Sequence, residues 1–73
     1  MSEQTAMYHL EQIVQALKAK GYDPYAQLTG YLQSGDNAYI TRHDGARELI
    51  RQIDKGTIWH YLSLMLEQKQ VEL

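Results

Sequence analysis

A chain of 73 residues without a single cysteine has few ways to stabilise a fold. A domain of this length buries only about 60% of the surface that its unfolded chain exposes, so its own core is marginal. The lack of cysteine excludes disulfides and thiolate metal sites, and His9, His43 and His60 are too scattered to predict a metal site. We therefore expect one domain over residues 1–73, without metal or cofactor, stabilised as a homodimer.

The charge and hydropathy pattern excludes further classes. The net charge is −2, from seven Lys and Arg against nine Asp and Glu, so the clustered basic surface of a nucleic-acid-binding protein is not expected. The longest apolar stretch, residues 61–66, is far shorter than the roughly 20 residues that span a bilayer. Residues 1–4 have neither the basic nor the apolar region of a secretion signal. These features predict a cytoplasmic protein.

Apolar periodicity predicts an all-α fold, a compact bundle of four main helices and one short one. The first helix runs over residues 2–20, with an apolar stripe on one side and Gly21 at its end. Asp23 is expected to cap a second helix that starts at Pro24 and ends near Ser34. Gly30 lies inside it, where close approach of another helix or simple tolerance explains a glycine equally well.

The second half of the chain predicts a turn and two more helices. The turn covers residues 36–40, and a third helix runs over residues 43–53. Gly56 and Thr57 then read as a stop and a cap before a last helix over residues 58–69. Apolar residues surround most of this last helix, which a short single chain can hardly cover, and this again favours a dimer.

Motifs for catalysis are missing from the sequence. It contains no nucleophile elbow, no phosphate-binding glycine loop and no HExxH. Asp23 and Asp36, a potential carboxylate pair, are most simply helix caps. Trp59 is more simply explained by the core or a dimer interface than by a ligand-binding surface. We expect a protein that is not an enzyme.

A small cationic group is the main candidate for binding. Arg47 and Arg51 are four residues apart, so on a helix they project from one face, and guanidinium groups are preferred donors to carboxylates and phosphates. The alternative is that the nearby acidic residues Asp44, Glu48 and Asp54 already neutralise the arginines, and the sequence leaves both interpretations open. The candidate partner-binding residues are Arg42, His43, Arg47 and Arg51.

Four consecutive segments resemble the IreB family, small regulatory phosphoproteins of Gram-positive bacteria. They are GYDP (21–24), QLTGYLQSGD (27–36), YITRH (39–43) and ARELIR (46–51). Their order and spacing match the family pattern without a gap over residues 21–51. The sequence departs from the family in the last helix, which is more aromatic and apolar, and in the short segment ahead of the first helix.

The resemblance implies a helical homodimer that is not an enzyme. Family members are phosphorylated on an N-terminal threonine by a membrane Ser/Thr kinase with extracellular PASTA repeats, and they influence peptidoglycan synthesis. One member controls Clp-protease turnover of the enzyme that commits UDP-N-acetylglucosamine to peptidoglycan. Thr5, followed by Met7 and Tyr8, resembles the family's Thr-Met-aromatic motif and is the candidate phosphorylation site.

Three functional hypotheses follow. The first is an IreB-type regulator that acts by protein–protein contact in cell-wall stress signalling, with the arginines facing an acidic surface on its target. The second is a small helical repressor-like dimer that binds DNA, with residues 43–54 as a recognition helix. Its net negative charge argues against it. The third is a purely structural dimer module.

Overall fold

The computed structural model describes residues 2–71, and it describes the side chains of residues 2–67. Within residues 2–71 every regular element is helical, which confirms the all-α prediction. The four α-helices are α1 (Glu3–Ala19), α2 (Pro24–Ser34), α3 (Ala46–Ile50) and α4 (Lys55–Val71), and two 3-10 turns cover Asn37–Tyr39 and His43–Gly45.

Local signals set the ends of α1 and α2, and the predicted ends of both helices and the Asp23 cap are confirmed to within one residue. The Ser2 hydroxyl accepts the backbone N–H of Thr5 at 3.2 Å, and the Asp23 carboxylate accepts that of Tyr25 at 3.3 Å. These bonds satisfy N–H groups that have no partner inside a helix. Gly21 and Gly35 follow the two helices at φ +82° and +74°, where a glycine is favoured.

The third helix is much shorter than predicted. Asp44 and Gly45 have φ angles of +53° and +70°, which no α-helix accommodates, so α3 begins only at Ala46. It ends at Ile50, and the chain then continues through 3-10-type hydrogen bonds to the buried Ile53. The prediction of one helix over residues 43–53 was therefore wrong, and so was a recognition helix over residues 43–54.

The last helix starts three residues earlier than predicted. The Asp54 carboxylate accepts the backbone N–H of Thr57 at 3.3 Å, which makes Asp54 the cap and places Thr57 in the first turn. Gly56 is not a stop, since it lies inside α4. A β-carbon at Gly56 would lie 2.8 Å from the Asp54 carboxylate, so glycine leaves room for this cap.

The core forms around α1, which contacts α2, α3 and α4. Apolar side chains from every α-helix meet there and exclude water, and this burial supplies most of the stabilising free energy. The largest fully buried side chains are Leu10, Ile13, Leu17, Leu28, Ile40, Ile50, Ile58 and Leu62.

One side of α4 packs against this core and two other parts of its surface do not. Ile58 and Leu62 are buried, whereas Trp59 is 48% exposed and Leu66 is 43% exposed. Leu64 is 37% exposed on another part of the helix. Trp59 therefore lies outside the core of a single chain, although core packing was one of its two expected roles.

Candidate partner-binding site

The segment that joins α2 to α3 is held by side chains from both helices. The Gln27 amide of α2 donates a hydrogen bond to the Tyr39 carbonyl at 2.8 Å. The Nε–H of Arg47, from α3, donates to the next carbonyl, that of Ile40, at 2.9 Å. The Ile40 side chain is fully buried. The backbone just before Arg42 is thus fixed to the helical core.

Arg42 and His43 follow this fixed backbone and lie at the second 3-10 turn. Arg42 is exposed, and His43 is half-buried. The His43 Nε2 lies 3.2 Å from an oxygen of the Asp44 carboxylate. The Asp44 carboxylate therefore lies directly beside the imidazole, and no described carboxylate is paired with Arg42 in this way. Arg42 is therefore the freer cation of the two.

Arg47 and Arg51 lie one helical turn apart, as predicted, but in different surroundings. Arg51 follows the last residue of α3 with helical angles, φ −67° and ψ −20°, and it is exposed. Arg47 is half-buried, and its Nε–H is already bound to Ile40. Among the described hydrogen bonds only Nε of Arg47 is used, so with respect to these residues its two terminal nitrogens are available as donors.

The acidic residues near the arginines do not neutralise them by direct contact. Among the side chains of residues 2–67, Asp44 pairs with His43, and no carboxylate forms an ion pair with Arg42, Arg47 or Arg51. The sequence left neutralisation and partner binding open, and the described side chains show no direct ion pair by which neutralisation would occur. Exposed guanidinium groups remain on the surface of an acidic chain.

Thr5 lies in the first turn of α1 and is exposed. Its hydroxyl lies 2.9 Å from the hydroxyl of the capping residue Ser2, within hydrogen-bonding distance. The site is near the positive end of the helix dipole, which favours a negative charge. A phosphate at this position would gain from the dipole and would compete with the Ser2 cap.

Two surface grooves show where the chain on either side of α3 lies along α1. Asp44 shares a surface groove with Ala16 and Ala19 of α1, whereas Gln52 shares another with Ser2 and Glu3. The chain therefore lies near the C-terminal end of α1 at Asp44 and near the N-terminal end of α1 at Gln52.

Thr5 and the turn with Arg42 and His43 lie at opposite ends of α1. Along the helix axis, Thr5 and Ala19 are about 21 Å apart at about 1.5 Å per residue. Arg51, next to Gln52, lies toward the Thr5 end. The structure therefore does not bring the five predicted residues into one cluster, because Thr5 and the turn with Arg42 lie near different ends of α1.

Gln27 is the residue that the sequence analysis missed. It is uncharged, and no periodicity distinguishes it from the other polar residues of α2. Its only signal is its position in the QLTGYLQSGD segment, three residues before Gly30. The structure connects these two, because the ring of Tyr39 packs on Gly30 while Gln27 binds the Tyr39 carbonyl.

Residues 2–71 contain no helix long and apolar enough to cross a membrane. The same part of the chain has no group of three or more His, Asp or Glu side chains that could hold a metal ion.

The structure defines a small protein whose described elements are all helical and whose α-helices pack around α1. Its cationic segment, residues 42–51, carries Arg42, Arg47 and Arg51 on the surface. The IreB family, described as the IreB regulatory phosphoprotein, matches residues 1–65 of this 73-residue chain, and the chain belongs to that family. This confirms the resemblance drawn from residues 21–51 and extends it over α1 and most of α4. The family is one of regulatory phosphoproteins, which supports a regulatory role.

Proposed function

We propose that this chain is a non-catalytic cytoplasmic regulator of the IreB type, which acts by protein–protein contact in cell-wall stress signalling. The observation that carries the proposal is the exposure of Arg42 and Arg51 without an ion pair to any described side chain. Membership of a family of regulatory phosphoproteins supports the same role.

The exposed arginines favour an acidic protein surface as the partner. Guanidinium groups bind carboxylates through two parallel hydrogen bonds, and complementary charge increases both the association rate and the specificity of binding. Arg42 and Arg51 lie on either side of the half-buried Arg47 along the chain. His43 adds a further positive charge when it is protonated. The proposed target is the enzyme that commits UDP-N-acetylglucosamine to peptidoglycan synthesis, or the Clp-type protease that degrades it.

Phosphorylation of Thr5 is the proposed control, carried out by a Ser/Thr kinase with PASTA repeats. A phosphate adds a charge of about −1.5 to −2 at neutral pH. Thr5 lies toward the Arg51 end of the segment, and it is about 21 Å along α1 from Ala19, which shares a groove with Asp44. Charges further apart than about 8 Å are largely screened at physiological salt. The phosphate would therefore act mainly on contacts at the Arg51 end.

A homodimer is the proposed assembly, and α4 is its proposed contact. Trp59 and Leu66 are seven residues apart, so they lie on the same side of the helix after two turns, and both are exposed. Exposed large apolar side chains in such a row are typical of a protein interface. A second copy that covers these two side chains would add to the apolar surface that is buried, which is small in a chain this short.

The proposal is tested in the source cells by the half-life of the peptidoglycan-committing enzyme. Arg42→Gln and Arg51→Gln would be introduced singly and together, and Lys18→Gln would serve as a control because Lys18 is an exposed cation on α1. We expect the double variant to shift the half-life as far as deletion of the protein does, and Lys18→Gln to have no effect. A wild-type half-life in the double variant would contradict the arginine contact, and no effect of the deletion would exclude this target.

A further inference from the structure

We propose that Gln27 is a positioning residue of the partner-binding site, where it acts with Arg47 by holding the segment that presents Arg42 and His43. The attachment of the segment is inferred from its hydrogen bonds. Its effect on partner binding rests on the proposed function. Nothing in the charge or the motif chemistry of Gln27 suggests direct contact with an acidic partner.

Two donors from two different helices hold two consecutive carbonyls. Gln27 of α2 binds the Tyr39 carbonyl at 2.8 Å, and Arg47 of α3 binds the Ile40 carbonyl at 2.9 Å. Because each donor belongs to a helix of the core, the backbone at residues 39–40 is fixed relative to both α2 and α3. The buried Ile40 side chain adds a third attachment.

The segment after Ile40 has only local hydrogen bonds among the described contacts. The backbone N–H of His43 binds the Thr41 hydroxyl at 3.2 Å, and that of Gly45 binds the Arg42 carbonyl at 3.2 Å. These bonds define the shape of the turn. The N–H of Ala46, at the start of α3, binds the His43 carbonyl and attaches the end of the turn to that helix, and the turn also contacts α1. The beginning of the turn, with Arg42, follows residues 39–40, and this end is held through them by Gln27 and Arg47.

Replacement of Gln27 tests the effect of positioning without a change of charge, which replacement of Arg47 by a neutral residue cannot do. Replacement of Arg47 removes a positive charge and a backbone hydrogen bond at once. Gln27 is neutral, so its replacement changes the attachment of the turn and leaves the cationic surface intact. If positioning matters, loss of the Gln27 amide weakens binding although no charge is lost. If only charge matters, the same change has no effect on the partner.

The first test is amide hydrogen exchange in the full chain carrying Gln27→Leu, measured at Ile40, His43 and Gly45. Leucine retains the helix propensity of glutamine and removes the donor. The loss of one neutral hydrogen bond should accelerate exchange at these amides by about fivefold. Gln33→Leu is the control, since Gln33 is exposed on the same helix, and it should leave these rates unchanged. Equal rates in Gln27→Leu and the wild type would overturn the positioning role.

The second test combines Gln27→Leu with the half-life of the peptidoglycan-committing enzyme in the source cells. We expect Gln27→Leu to shift the half-life in the same direction as Arg42→Gln, and Gln33→Leu to leave it unchanged. Faster exchange with a wild-type half-life would show that the attachment does not serve binding, and it would overturn the inference. If Arg42→Gln with Arg51→Gln also has no effect, it is the proposed function that fails, and the exchange result still decides the positioning.

Arg47→Lys and Arg47→Ala test the hydrogen bond of Arg47 by amide exchange. A lysine ammonium keeps the charge and can donate one hydrogen bond to the Ile40 carbonyl, whereas alanine removes both. Positioning predicts that Arg47→Lys retains most of the exchange protection that Arg47→Ala loses. Exchange in Arg47→Lys that is as fast as in Arg47→Ala would contradict a positioning role for Arg47.

Discussion

The ring of Tyr39 occupies the space where a side chain at position 30 would begin. A β-carbon built on Gly30 would lie 2.5 Å from Cε1 of Tyr39, much closer than two carbon atoms approach in proteins. Gly30 was expected to admit another α-helix or to be merely tolerated. The approaching group is instead an aromatic ring from the first 3-10 turn. This contact fixes Tyr39, whose carbonyl is one of the two through which Gln27 and Arg47 hold the arginine-bearing segment.

This contact predicts an energetic coupling between positions 30 and 39. Alanine in place of glycine inside a helix stabilises it by about 1 kcal/mol when nothing opposes the methyl group. We expect Gly30→Ala to show that gain in a Tyr39→Ala background and to lose it, or to destabilise the protein, in the wild type. Urea unfolding of the four proteins gives the coupling free energy, which should be about 1 kcal/mol or more. A gain of equal size in both backgrounds would show that the ring does not oppose the methyl group.

The cap of α4 predicts a second difference in stability. Removal of a capping carboxylate costs about 1 kcal/mol, so Asp54→Ala should lower the free energy of unfolding by that amount. Asp54→Asn is the matched control, because asparagine retains the acceptor for the Thr57 N–H and should cost much less. Thermal and urea unfolding followed by circular dichroism measure both variants. Equal losses for alanine and asparagine would argue against the cap.

The raised pKa of Tyr61 predicts that the free energy of unfolding decreases at alkaline pH. Burial raises the pKa of its hydroxyl above the ordinary value of 10.0, and the negative charge of Glu11 raises this pKa further. The folded chain therefore holds this proton more tightly than the unfolded chain does. The resulting stability is fully present below about pH 10 and is lost as the pH rises through the raised pKa.

The matched variants for this effect are Tyr61→Phe and Tyr22→Phe, since Tyr22 is exposed. We expect the Tm of the wild type and of Tyr22→Phe to fall above pH 10 more steeply than that of Tyr61→Phe. Glu11→Gln should reduce the steepness in part. Parallel curves for Tyr61→Phe and the wild type would contradict the assignment to Tyr61.

The proposed dimer predicts opposite results for two leucines of α4. Leu66 lies in line with Trp59, whereas Leu64 lies more than a quarter turn away, and the two leucines are similarly exposed at 43% and 37%. Leu66→Gln should weaken dimerisation at least about tenfold, because two copies of the side chain lose their burial. Leu64→Gln should leave the dimer intact. Sedimentation over a concentration series distinguishes them, and equal effects would exclude the Trp59 side as the interface.

Local sequence signals predicted those parts of the fold that local physics determines. The caps Ser2 and Asp23, and the glycines that follow α1 and α2, act within a few residues, and the bounds of both helices were right. The break before α3 was missed because it depends on Asp44 at φ +53°, a conformation that no apolar pattern reveals. The start of α4 was misplaced because Thr57 and Asp54 are both good caps.

The sequence predicted which residues form the candidate site, but it did not predict how they are arranged in space. The candidate arginines were predicted from the motif, but the packing against α1 that places Asp44 and Gln52 near different ends of that helix is a tertiary feature. The same holds for the bond between Gln27 and the Tyr39 carbonyl, which joins residues twelve positions apart. Contacts of this kind depend on how helices pack, and a single sequence contains no periodic signal for them.

The central claim is that exposed arginines of this IreB-family chain engage an acidic partner surface. The most direct measurement is the half-life of the peptidoglycan-committing enzyme after translation arrest, in cells with Arg42→Gln and Arg51→Gln at the native locus. With the variant protein folded and at normal abundance, we expect the same half-life as in a deletion strain, and a wild-type half-life for Lys18→Gln. A wild-type half-life in the arginine variant, alongside a changed one in the deletion strain, would contradict it.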